Sequence, residues 1–186
     1  MKKVLIIGAG AMGTAFSFPL LDNNHKVTLT EPYNTKLTNQ LLKKKKFHPS
    51  LKIILPKKLL IKKFSSQLLL EKLTNAKGQI FNISSMGGVN FSSKFPGLSL
   101  YSSSKAAISI LTECLSEELK DLNVRVNAFA LGSVQTEMLE KAFPGYESGI
   151  SSQEMALFIV NFISSSKNFL ALGSTGVNLI SLISIV

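Results

Sequence analysis

The sequence predicts an α/β fold, a three-layer doubly wound parallel sheet with helices on both faces, and three observations carry that expectation. Residues 4–7 form a short, unbroken apolar run, the mark of a strand covered on both sides, and lead directly into Gly8-Ala9-Gly10-Ala11-Met12-Gly13 and an apolar helix through Leu21. Residues 79–83 and 124–129 are two further apolar runs that read as buried strands. Between them, residues from about 100 to 122 repeat apolar side chains at helical spacing, which gives the strand–helix–strand order of a parallel sheet.

Taken in order, the opening is G-x-G-x-x-G set between a strand and a helix, the context the motif requires in a Rossmann-like fold. Gly8 allows the tight turn, Gly10 lets the backbone approach a pyrophosphate, and Gly13 lets helix and strand pack closely; Ala11 and Met12 complete the turn, and the helix N-terminus faces the phosphate charge. Asp22 to His25 closes the helix and residues 26–30 alternate as the second strand. Glu31 follows 23 residues after Gly8, near the interval at which an acidic side chain accepts the ribose 2′-hydroxyl. A carboxylate there repels a 2′-phosphate, so NAD is expected over NADP. A lysine-rich helix over residues 34–46, a strand at 52–55 and a helix over 66–75 come next.

Composition bounds the function. At 186 residues, 45% hydrophobic and 17% charged, the chain is expected to form one globular domain over residues 1–186. The single cysteine, Cys114, excludes an internal disulfide, and its apolar helical neighbours suggest a core thiol in the reducing cytoplasm. The net charge is +10, but ten of the 21 basic residues fall between Lys36 and Lys63 with no aromatic interleaving. That pattern fits a solvated helix end and loop, and no nucleic-acid partner is expected. Residues 1–7 resemble the start of a secretory signal, yet the glycines that follow explain them better. Residues 168–186 carry no charge, but Gly173, Ser174, Thr175, Gly176 and Asn178 interrupt them, as a turn before a last strand would; no membrane partner is expected.

The chemistry centres on Tyr101-Ser102-Ser103-Ser104-Lys105. Residues four apart share a helix face, so the phenol of Tyr101 and the ammonium of Lys105 stand side by side. A nearby cation favours the phenolate, and a hydroxyl from Ser85, at the end of the preceding strand, could hold a substrate oxygen against the phenol.

In Asn82-Ile83-Ser84-Ser85, Tyr101 to Lys105, and Val124-Arg125-Val126-Asn127-Ala128, the chain resembles the short-chain dehydrogenase/reductases over about residues 65–162. The resemblance implies that Ser85 orients the substrate, Tyr101 is the acid/base, and Lys105 lowers the tyrosine pKa and binds the nicotinamide ribose. It also implies that Gly132, Val134 and Thr136, in Leu131-Gly132-Ser133-Val134-Gln135-Thr136, hold the nicotinamide carboxamide, with Leu131 in place of the family's proline. Ser85 and Tyr101 are 16 residues apart, three more than the family's usual spacing. The family pairs subunits through the helix bearing Tyr101, which implies a homodimer or homotetramer. Residues 2 to about 64 instead resemble the start of NAD-dependent glycerol-3-phosphate dehydrogenases, in residues 3–15 and in Phe47-His48-Pro49 to Leu55-Pro56, so the chain reads as a composite joined between residues 56 and 66. Compared with a complete short-chain dehydrogenase it lacks about one strand–helix unit, with its catalytic asparagine. The expected activity is hydride transfer between NAD and a small alcohol or carbonyl; the alternatives are a non-catalytic dinucleotide-binding domain and, more remotely, a glycerol-3-phosphate dehydrogenase fragment.

Overall fold

The computed structural model describes residues 1–43, 46–63, 69–165 and 179–182. In chain order the elements are β1 (Lys3–Ile7), α1 (Ala11–Asp22), β2 (Lys26–Thr30), α2 (Thr35–Leu41), β3 (Phe47–His48), β4 (Ile53–Ile54), β5 (Leu60–Ile61), α3 (Leu69–Asn75), β6 (Gln79–Ser85), α4 (Ser99–Glu118), β7 (Arg125–Leu131), α5 (Glu137–Ala142), α6 (Ser152–Ser165) and β8 (Leu179–Leu182). They fall into two compact units: Met1–Ser65 with Val134–Lys167, and Ser66–Ser133 with Asn168–Val186.

The first unit is a parallel sheet in the order β1-β2-β5. Side chains alternate across a strand, so Val4, Ile6, Val27, Leu29 and Ile61 share one face. Together with Leu20 of α1 and Val160 of α6 they form the core, which also takes in Leu41, Leu55 and Leu59. Leu5, Ile7 and Leu60 occupy the opposite face and are exposed. At its start α6 is closed by a capping box: the Glu154 carboxylate accepts the Ser151 N–H at 2.9 Å while Ser151 Oγ accepts the Glu154 N–H at 3.2 Å.

The second unit is a parallel sheet in the order β6-β7-β8, with α4 as the crossover between its first two strands. The central strand β7 is buried from Val126 to Leu131, and Phe129, with no exposed surface, stacks on Phe81 at 5.3 Å between ring centroids. Asn123, in the left-handed region at φ +55°, ends the turn after α4 and turns the chain into β7. Among the described residues no strand pairs with the outer edge of β1 or of β6, consistent with the expected shortfall of a strand and its helix.

Three details depart from the sequence reading. The strand that joins β2 is Leu60–Ile61; residues 52–55 instead give β4, which pairs antiparallel with β3 in a small hairpin. The lysine-rich helix is described over Thr35–Leu41 with Leu42 as its C-cap, and residues 44–45 of the expected 34–46 lie outside the described residues. The third is α4, where the expected core face is turned outward: Ile110 and Leu111 are more than half exposed, Ala107 and Cys114 are exposed, and Thr112 is the buried residue. Cys114 is therefore a surface thiol. Within residues 168–186 the strand expected last is described at Leu179–Leu182; the turn expected at 173–178 and the start of the expected 66–75 helix lie outside the described residues.

Phe129 fills the centre of the second sheet with no surface left to water, so Phe129→Ala leaves a cavity the strands cannot close. It should destabilise the chain by about 3–5 kcal/mol, measured as a lower urea midpoint at unchanged slope.

Candidate active site

The glycine turn belongs to the first unit. Gly8 has φ +108°, a conformation L side chains rarely adopt, and no atom lies within 4 Å of where its Cβ would be. The space beside Gly10 is equally open. Gly13 is the reverse case: a Cβ there would lie 2.0 Å from the Gly8 carbonyl oxygen, so only glycine lets α1 lie against the end of β1. Gly10 caps α1 without any side-chain hydrogen bond, which leaves the N-terminus of this 12-residue helix, Ala11 and Met12 first, to a ligand's acceptors. Ala11 and Thr136 line one cavity of about 290 Å³, with Gln135, Ser152 and the carboxylates of Glu137 and Glu140. Thr136 Oγ caps α5 by accepting the Leu139 N–H at 3.2 Å, and its own proton remains available to donate.

Glu31 sits at the end of β2 and reaches back to the turn. One carboxylate oxygen accepts the Ala9 N–H at 2.9 Å; the other accepts the N–H groups of Tyr33 at 2.9 Å and Asn34 at 3.2 Å. Burial pushes its pKa up, but the three backbone donors outweigh that and hold the carboxyl below its ordinary 4.5. The oxygen facing Ala9 keeps a lone pair for a ribose hydroxyl. Val134 is buried in this unit. The donor set therefore fits a dinucleotide: an uncapped helix start, two glycines with open space beside them, and an oriented acid.

In the second unit Ser85, Tyr101 and Lys105 meet on β6 and α4. Ser85 ends β6, and its Oγ accepts the Gly87 N–H at 3.2 Å. A Cβ on Gly87 would lie 3.6 Å from Ser85 Oγ and 3.6 Å from Cε1 of Tyr101, so the hydroxyl and the ring edge border the same small space. Lys105 Nζ lies 5.7 Å from the Tyr101 ring centroid and donates to the Ile83 carbonyl at 3.1 Å. Its burial lowers the lysine pKa below 10.5. Gly132 directly follows β7. The strand keeps its ladder through Leu131, paired with Ser85 and Leu182, which a proline at Leu131 would interrupt.

Residues not singled out from the sequence hold this geometry. Ser84 Oγ donates to the Lys105 carbonyl at 2.8 Å and lies 3.1 Å from Ser109 Oγ, and Asn82 donates to Thr112 Oγ1 at 2.9 Å. Asn82 and Ser84 share one strand face; Lys105, Ser109 and Thr112 share one helix face. The signal was present as polar residues at period two in an otherwise apolar strand. Gly88 matters as well, since a Cβ there would come within 2.6 Å of the α4 backbone at Lys105 and Ala106.

Residues 60–147, which include Ser85, Tyr101 and Lys105, match the family model described as short chain dehydrogenase. A diacetyl reductase [(S)-acetoin forming] of Staphylococcus aureus is 45% identical over 69 residues, covering 37% of this chain and 26% of that protein. The chain thus matches about a quarter of the length of this curated relative. Among solved structures, 4-hydroxyisoleucine dehydrogenase complexed with NADH aligns over 97% of both chains with a TM-score of 0.64 at 17% identity. ElxO with NADP bound aligns over 97% of this chain and 96% of its own, with a TM-score of 0.63 at 20% identity. At these identities the structural likeness establishes the fold alone, a Rossmann-like α/β architecture. No helix among the described residues is long and apolar enough to cross a membrane.

Glu31 offers a direct test of the turn. Because its folded pKa is lowered, its stabilising contribution is present above about 4.5 and is lost as pH falls through the folded value. Glu31→Gln should be less stable than the parent near neutral pH by about 1 kcal/mol, a figure reduced for the solvent around the carboxylate. Urea unfolding at a series of pH values should show that difference closing on acidification.

Proposed function

We propose that the chain is an NAD(P)-dependent oxidoreductase of the short-chain dehydrogenase type, acting on a small alcohol or carbonyl. The observation that carries this reading is the approach of Ser85 Oγ and the Tyr101 ring edge to one point beside Gly87, with the Lys105 ammonium 5.7 Å from the tyrosine ring centroid. Ser85 would hold the substrate oxygen by its hydroxyl. Tyr101 gives that oxygen a proton in reduction and takes one from it in oxidation, and Lys105 steadies the negative charge left on the phenol. When bound, the nicotinamide supplies or accepts the hydride.

Gly8, Gly10, Ala11, Met12 and Gly13 would hold the diphosphate and Glu31 the adenosine ribose, which favours NAD over NADP. Tyr101 and Lys105 would hold the nicotinamide ribose, and Gly132, Val134 and Thr136 the carboxamide. Similarity to a diacetyl reductase supports a small carbonyl substrate. The outward apolar face of α4, with Ile110 and Leu111, suits a homodimer or homotetramer in the cytoplasm. On this reading residues 2–64, whose sequence resembles glycerol-3-phosphate dehydrogenases, and the remainder would form a composite chain working as a single dinucleotide-binding domain over residues 1–186.

A second reading, a dinucleotide-binding domain without catalysis, is favoured by the outer edge of β6, which lacks a strand partner among the described residues. That edge is where the strand carrying the family's catalytic asparagine would lie.

Turnover of a panel of small ketones and alcohols with NADH and NAD separates the two. Tyr101→Phe should lower turnover by about 10²–10⁴-fold while NADH affinity stays within about twofold. Undiminished turnover removes Tyr101 from the mechanism, and NADH binding by the parent chain with no turnover selects the second reading.

A further inference from the structure

His48 is fully buried and takes no part in the chemistry proposed above. It lies in β3, in the small hairpin, and its ring spans from that hairpin to the glycine turn. Nε2 is 2.7 Å from the Ala9 carbonyl oxygen, and Nδ1 accepts the Leu51 N–H at 3.2 Å. A carbonyl oxygen can only accept, so Nε2 must carry the proton; Nδ1, which accepts, must not. The two contacts together define a neutral ring in a single tautomer.

The Ala9 carbonyl also accepts from Thr14 Oγ1 at 3.2 Å. In a trans peptide the carbonyl and the following N–H point in opposite directions within one plane. Holding the Ala9 oxygen against His48 and Thr14 therefore aims the Gly10 N–H the other way, outward from the turn. The preceding peptide is fixed too: Glu31 takes the Ala9 N–H, and the Gly8 oxygen is turned toward α1 at Gly13. Two consecutive peptide planes of the turn are thus set by side chains from β2, α1 and the hairpin.

We propose that His48 is a positioning residue for anion binding at the turn, fixing through the Ala9 carbonyl the direction in which the Gly10 N–H is presented to a dinucleotide diphosphate. The ligand rests on the function proposed above; the orienting role rests on the hydrogen bonds alone. The inserted hairpin, which the opening motif does not require, thereby becomes part of the cofactor site.

The test uses the full chain with NADH as probe, and His48→Ala beside His48→Gln, whose side-chain amide keeps a donor near the position of Nε2. NADH fluorescence titration should show H48A binding about tenfold more weakly and H48Q within about twofold of the parent, with both variants folded by thermal melting. Long-range ¹H–¹⁵N spectra, simple for a chain with two histidines, should show one ring as the neutral Nε2–H tautomer and lose that signal in H48Q. Amide hydrogen exchange of residues 8–13 should speed up in H48A and be restored in H48Q. Should H48A fail to fold, His48→Asn, whose amide is too short to reach Ala9, takes its place. Equal NADH affinity and equal exchange in parent and H48A would overturn the proposal. A parent chain that does not bind NADH removes the dinucleotide reading, and the exchange and tautomer measurements then decide the orienting role by themselves.

Discussion

Where helices meet strands in this chain, main chain touches main chain, and glycine is what permits it. At Gly13 the start of α1 rests on the Gly8 carbonyl; at Gly88 the turn after β6 rests on the α4 backbone. A methyl group at either position would have to displace peptide groups that have no flexible end to yield. The first contact sets how the open helix start sits over the glycine turn. The second sets how near Tyr101 and Lys105 come to Ser85. Both halves of the candidate chemistry thus depend on backbone proximity before any side chain contributes.

Once β6 and α4 are that close, the seam between them is polar. Asn82 with Thr112, Ser84 with Ser109 and the Lys105 carbonyl, and Lys105 Nζ with the Ile83 carbonyl bridge the two elements. An apolar seam would tolerate rotation of the helix about its axis, whereas hydrogen-bonding groups buried together must find their partners, so a single rotation satisfies all of them. That rotation presents Tyr101 and Lys105 to the strand end. It also accounts for the outward face of α4, since the inward face is already committed to polar pairing.

The parts legible in the sequence were those whose signal is local. The glycine spacing, the acid after the second strand and the Tyr101–Lys105 interval are each read from near neighbours in the chain, and the structure places Gly8 at positive φ, Glu31 on the Ala9 N–H and Lys105 Nζ 5.7 Å from the Tyr101 ring centroid. The rotation of α4 was not legible, because periodicity marks a stripe without saying whether core or solvent faces it; Asn82 and Ser84 were the better guide. The strand Leu60–Ile61 was missed because two residues beside lysines carry too little pattern, and its existence depends on pairing with β2 across the sheet. His48 was passed over for a similar reason: its partner lies 39 residues away, and nothing beside it in the chain announces the contact.

Strands of two residues, as in β3 and β4, do not persist in water without outside support. This pair draws that support from the imidazole seated on Ala9 and from the Lys46 ammonium, which donates to the Lys57 and Leu59 carbonyls at 3.1 and 2.7 Å. The dependence is thermodynamically reciprocal. Lengthening or nicking the segment around Lys52 would be felt as slack in a loop near the other end of the first unit's sequence, and any guest that stiffens that loop tightens the segment in return.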